Sequence, residues 1–154
     1  MEIRKANEKD VLGIVEQVKE LTSHFGYGEW IFKYKDNVEL IWQDFILSKI
    51  QSDKSEVLVA IDDHQIIGHI AFGIENLWEV YKYDKEVCLY TFFVDDKFRK
   101  HGIGKKLIQN AENWAKEKGI LVFSTWVSTD NPNAFERYTH YGFKEHHRKM
   151  SKIL

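Results

Sequence analysis

A length of 154 residues, 30% of them charged and 44% hydrophobic, is the size and mix of one soluble globular domain with a single core. The formal net charge of −2 gives no general attraction to nucleic acid, and no apolar run is long enough to span a bilayer. Cys88 is the only cysteine, which excludes an intramolecular disulfide and makes a cytoplasmic location the expectation.

The N-terminus MEIRKANEKD lacks the apolar core of a signal peptide. One proline, Pro132, and no Ser/Gly-rich linker or repeat imply that residues 1–154 form one continuous domain.

Met1 to Lys5 reads as a short strand. Apolar residues at 11, 12, 14, 15, 18 and 21 have the spacing of an amphipathic helix, with Asn7 or Asp10 as its cap. After the aromatic loop TSHFGYGEW, apolar positions between 38 and 50 predict a second helix. Val57–Ile61 and Ile66–Ile74 read as paired strands around the turn DDHQ. In VCLYTFFV, residues 87 to 94, both alternating faces are apolar, as in a central strand covered on both sides.

From Gly102 to Lys118, apolar residues at 103, 107, 108, 111, 114 and 115 make one helical face, which Gly119 stops. ILVFSTWV reads as the next strand. In NPNAFERYTHYGF, Asn131 can cap a short helix, Pro132 suits its first position and Gly142 can end it. The tail to Leu154 reads as a final strand. The order is mixed α/β around one sheet.

The segment FRKHGIGKK, residues 98 to 106, then stands between a buried strand and an amphipathic helix. Free backbone N–H groups and the positive end of a helix dipole meet there, which suits a pyrophosphate. It is not a Walker loop, because Arg99 and Lys106 occupy positions that need Gly and Ser or Thr. It is not the dinucleotide fingerprint either, since Leu107 stands at the third glycine position.

VDDKFRKHGIGKKLI resembles the strand-loop-helix signature of the GNAT N-acetyltransferase superfamily, [RQ]-x-x-G-x-[GA] after Val-Asp, with Arg99, Gly102 and Gly104 in register. NPNAFERYTHYGF resembles that family's second motif, with Asn131, Ala134, Tyr138, Gly142 and Phe143 in register, and IRKANEKD is similar to its opening strand and turn. The resemblance covers nearly the whole chain. It implies the GNAT fold: one central mixed, largely antiparallel sheet, splayed between strands 4 and 5, with helices on both faces.

It also implies acetyl-CoA as co-substrate. The pyrophosphate would rest on the backbone of Arg99, Lys100, His101, Gly102, Ile103, Gly104 and Lys105. The pantetheine arm would pair with the backbone of Phe92, Phe93 and Val94, with Asn131 on its other side. By the same resemblance, the backbone N–H of Val94 or Phe93 polarises the thioester carbonyl. Tyr138 stands where the family keeps its general acid, a phenol whose pKa near 10 can protonate a thiolate.

The base is open. Many relatives carry a glutamate shortly before the Val-Asp, where this chain has Tyr90 and Thr91; Glu75, Glu79 and Glu86 flank the nearby hairpin and could act through water. On the acceptor side, Phe25, Tyr27, Trp30, Trp78, Tyr81 and Tyr83 accompany Glu29, Glu75, Glu79 and Glu86. Aromatic faces beside carboxylates suit a cationic amine such as a polyamine or aminoglycoside. The same aromatics could instead fill a satellite core or a homodimer contact.

No metal is expected, because no H-x-x-x-H or C-x-x-C occurs and His146 and His147 would face opposite sides of a strand. The reading is an N-acetyltransferase acting by direct attack in a ternary complex. A protein N-terminal or lysine acetyltransferase and a non-catalytic acetyl-CoA-binding module are its rivals.

Overall fold

The computed structural model describes residues 1–23, 34–147 and 149–154. Its elements run β1 (Glu2–Lys5), α1 (Val11–Ser23), α2 (Val38–Gln51), β2 (Ser55–Asp62), β3 (Gln65–Asn76), β4 (Lys85–Val94), α3 (Ile103–Glu117), β5 (Phe123–Thr125) and α4 (Pro132–His140). The strands lie side by side in chain order, antiparallel from β1 to β4 and parallel between β4 and β5.

The entry into α1 is a short 3-10 turn, Glu8–Asp10, with a reciprocal cap. The Asn7 side chain accepts from the Lys9 N–H (3.0 Å), and the buried Asp10 carboxylate accepts from the Asn7 N–H (2.8 Å) and from both Arg4 guanidinium nitrogens (2.7 and 2.9 Å). Both expected capping residues are therefore used, one in each direction. The Arg4 pairing holds the Asp10 carboxyl below the usual carboxylate range despite its burial.

Helices cover both faces of the sheet. Val11, Ile14, Val15 and Val18 of α1 and Ile46 of α2 bury against Val57, Val59 and Ala71. On the other face, Ile103, Leu107, Ile108, Ala111, Trp114 and Ala115 of α3 bury against Leu58, Ile70, Phe72, Val87 and Leu89, with Tyr138 and Tyr141 packed at the margin. The α3 face read from the sequence is the buried face residue for residue.

Strand β4 carries an irregularity that sets up the site. Ala71 pairs with Thr91 and Phe72 with Leu89, so Tyr90 is an extra residue, a β-bulge. Alternation is thereby reset. Cys88 and Tyr90 line a pocket with α2 residues, while Phe92 packs against Tyr138 and Tyr141 on the opposite side of the sheet.

The sheet ends earlier than expected on its β5 side. Of ILVFSTWV only Phe123–Thr125 is strand, and Leu121 and Trp126 are exposed. The tail, expected as a final strand, forms none among its described residues, and each of those from Lys144 onward is exposed. KEHHRKMSK has no apolar face to bury, so joining the sheet would bring no packing gain. His146 and His147 meet edge to face with ring centroids 4.6 Å apart, rather than facing opposite sides of a strand.

Candidate active site

β4 pairs with β5 only through Val87, Cys88 and Leu89, and from Tyr90 to Val94 that edge has no β5 neighbour. The gap is where backbone groups of β4 become available. The Asp95 N–H donates to Ile67 O (2.9 Å), on the β3 side. Alternation along an antiparallel strand then turns the Phe93 N–H toward β3 and the Phe92 and Val94 N–H groups into the gap. Val94 O faces the gap too, where it accepts from Arg99 Nε (3.0 Å).

The loop beyond β4 leads into the N-terminus of α3. Gly102 adopts φ +78°, a left-handed conformation that favours glycine, and Lys100 precedes it at φ +66°. The first intrahelical bond runs from the Lys106 N–H to Gly102 O (3.0 Å), leaving the N–H groups of Ile103, Gly104 and Lys105 without an intrahelical acceptor. Gly104 is constrained by space: a Cβ there would lie 2.9 Å from Tyr141 Oη and 3.1 Å from Phe92 Cζ. A close backbone approach, free N–H groups and the helix dipole fit a diphosphate.

Other expected cofactor contacts are distributed around this loop. Arg99 also pairs with Asp96, and His101 Nδ1 lies 3.3 Å from Phe98 O, so that ring turns back onto its own loop. Asn131 is buried and caps α4, its Oδ1 accepting from the Ala134 N–H (3.0 Å). Tyr138 is half-buried between Phe92 and Phe143, with centroids 6.3 and 5.4 Å away. Sequence reasoning missed Tyr141, three residues later, whose hydroxyl fixes the need for Gly104.

On the α2 side, Ile41, Trp42, Phe45, Cys88, Leu89, Tyr90 and Trp126 line a pocket of about 310 Å3. Tyr90 Oη donates to Glu75 Oε1 (2.5 Å), and burial together with that carboxylate raises the Tyr90 pKa and keeps the phenol neutral. Where β4 has Tyr90 and Thr91 instead of a glutamate, a carboxylate thus reaches the bulge from β3. Gly73 leaves room for the contact, since a Cβ there would lie 2.8 Å from Tyr90 Oη. Lys49 Nζ stands 4.3 Å from the Tyr90 ring centroid and 5.1 Å from that of Phe45. Glu86 pairs directly opposite Glu75 in the β3–β4 register. Cys88 also lines the pocket, and burial pushes its thiol up to about 11, so it stays protonated at neutral pH.

Beneath Tyr90 and Thr91 lies a buried polar chain. Gln17 Nε2 donates to Ile66 O (2.7 Å), so its Oε1 accepts from His69 Nδ1 (2.8 Å), and His69 Nε2 accepts from the Thr91 hydroxyl (3.1 Å). Complete burial holds the His69 pKa down to about 3, and the ring stays neutral. The chain ties α1, β3 and β4 together where the bulge redirects the strand.

The hairpin contributes less to the site than expected. Trp78 is 76% exposed, and Tyr81, Tyr83 and Glu79 are exposed with it. Trp78 and Glu79 do not line the pocket, whereas Glu75 reaches it through Tyr90. Phe25, Tyr27, Glu29 and Trp30 lie outside the described residues. Among the described residues, no group of three His, Cys, Asp or Glu side chains could hold a metal ion, and no helix is long and apolar enough to cross a membrane.

The model of the acetyltransferase (GNAT) family matches residues 15–143, a span that includes the glycine loop, the gap and α4. The chain belongs to the GNAT acetyltransferase family. An uncharacterized N-acetyltransferase of Archaeoglobus fulgidus is 30% identical to this GNAT chain over 138 residues, 90% of the chain and 89% of the relative.

Among solved structures, a tetramutant of the BH1408 protein of Bacillus halodurans superimposes with a TM-score of 0.85 at 20% identity over the full length of both chains. The aminoglycoside 6'-N-acetyltransferase AAC(6')-IG of Acinetobacter haemolyticus does so with a TM-score of 0.79 at 20% identity, covering 100% and 99% of the two chains. These structures share the fold, and together with the N-acetyltransferase relatives the family match makes this chain an acyltransferase.

Proposed function

We propose that this enzyme transfers an acetyl group from acetyl-CoA to the primary amine of a small cationic molecule. The observation that carries the reading is the meeting of two backbone features: the Phe92 and Val94 N–H groups turned into the β4–β5 gap, and the N–H groups of Ile103 to Lys105 at the start of α3. One set suits an extended amide-bearing arm and the other its diphosphate. Bound acetyl-CoA supplies an acyl group activated as a thioester.

The remaining roles belong to the chain. The Val94 N–H stabilises negative charge developing on a carbonyl oxygen at the gap. Tyr138, half-buried beside Phe92, donates a proton to the departing thiolate. Glu75 takes the proton of the incoming ammonium, directly or through the Tyr90 hydroxyl. Glu75 and Glu86 favour a cationic acceptor, and the aminoglycoside acetyltransferases of the same fold act on small amines.

The test is thiol release from acetyl-CoA across polyamines, aminoglycosides, amino acids, arylalkylamines and short peptides. Release with one class of small amine is the expected result. Release with peptides alone would replace this reading by a protein acetyltransferase, and no release with any acceptor would overturn it.

A further inference from the structure

We propose that the pocket between α2, β4 and Trp126 is the acceptor site, and that it selects a primary ammonium carried on an apolar body, aromatic or alkyl, over a hydroxyl-rich one. This rests on the acetyltransferase reading and narrows it. The volume, about 310 Å3, is at the small end of the range of about 300–1,000 Å3 in which small-molecule sites fall. Its apolar walls are Ile41, Trp42, Phe45 and Trp126, whose side chains offer little to the many hydroxyls of an amino sugar. Hydroxyls desolvated there without partners would weaken binding, whereas an alkyl or aryl group would strengthen it.

Charge is concentrated at one end. The Tyr90 hydroxyl in the pocket wall is bonded to Glu75, and Glu86 stands directly across from Glu75 on the same side of the sheet as Cys88. Burial raises the Cys88 pKa, and Glu86 and Glu75 add to that while Lys49 acts the other way. The chain's own ammonium, Lys49 Nζ, already lies over the Tyr90 and Phe45 rings, so these aromatic faces accept a cation, while its like charge leaves the carboxylate end at Glu75 as the place for a second ammonium. Tyr90 and Phe92 are two residues apart, about 7 Å along the strand, so an amine held at Tyr90 is close to the N–H groups that face the gap.

Binding measured separately from turnover tests the proposal. Calorimetry on the full chain, saturated with CoA, would compare phenethylamine, phenethyl alcohol and kanamycin against the wild type and Glu75→Gln. Phenethylamine should bind about 10-fold or more tighter than either competitor, and Glu75→Gln should remove about 10-fold of that affinity. Kanamycin binding as tightly as phenethylamine, equal binding of the neutral alcohol, or an unchanged affinity in Glu75→Gln would each overturn it. Thiol release from acetyl-CoA, measured in parallel with the same amines, separates the two ideas: amine binding without release counts against the transferase reading alone, and release with kanamycin but not phenethylamine counts against the pocket assignment alone.

Discussion

The proposed donor loop and the proposed acceptor pocket are both anchored on β4, a few residues apart, and they are made of different material. Around α3 the useful groups are peptide N–H donors, and what matters is where side chains are missing: at Gly102 for its φ of +78° and at Gly104 for its closeness to Tyr141 and Phe92. Around the pocket the useful groups are side chains from α2, β3, β4 and the segment after β5. The comparison teaches that one half of such an enzyme works through backbone left open by small residues and the other through side chains gathered from distant elements. Substitutions should therefore separate them.

The largest effect belongs to neither half. Tyr138→Phe should lower kcat by about 100-fold or more, the range of a lost general acid, with acetyl-CoA and amine affinities unchanged; stopped-flow thiol release with calorimetry checks it, and an unchanged kcat removes Tyr138 from the mechanism. Gly104→Val comes next. Its branched side chain must displace Tyr141 and Phe92, so acetyl-CoA affinity should fall by about 100-fold, about 3 kcal/mol, while amine binding survives.

Trp42→Ala is the mirror image. It opens the pocket wall and should weaken amine binding by about 10-fold without changing acetyl-CoA affinity. Equal losses for both ligands in either variant would break the division drawn above.

The last effect falls on stability rather than on either ligand and concerns the buried chain under the bulge. His69 is held near a pKa of about 3, against the ordinary imidazole value of 6.5, so between those values the unfolded chain binds a proton that the folded chain does not. Stability from this residue is present above pH 6.5 and is lost as pH falls, by up to about 1.4 kcal/mol per pH unit. Urea unfolding at pH 7 and pH 5 should show a shallower pH dependence for His69→Gln than for the wild type; equal slopes would place the acid sensitivity elsewhere.

Legibility in the sequence follows the same division. The α3 face, the Asn131 cap and the left-handed Gly102 are readable because each depends on neighbours within a few residues, whereas Gly104 is legible only through the motif, since the space it leaves is for the distant Tyr141 and Phe92. The pocket was not, because it joins Trp42, Glu75, Tyr90 and Trp126 across the sheet, and no spacing rule links those positions. Exposed Trp78 and Glu79 look as suitable by composition as Glu75, and only the pairing of β3 with β4 distinguishes them. The tail misled for a related reason: a strand needs a neighbour and something to bury, and short alternation in a polar segment supplies neither.

The bulge at Tyr90 works as a phase shift in β4. Residues before it present one set of side chains to the pocket, and residues after it turn Phe92 toward α3 and open the Phe92 and Val94 N–H groups to the gap. The residue at position 90 is outside the pairing ladder, so its side chain can be exchanged without moving the backbone donors two and four residues later. On the proposed assignment, exchange of Tyr90 alters the acceptor pocket while the backbone donors stay in place.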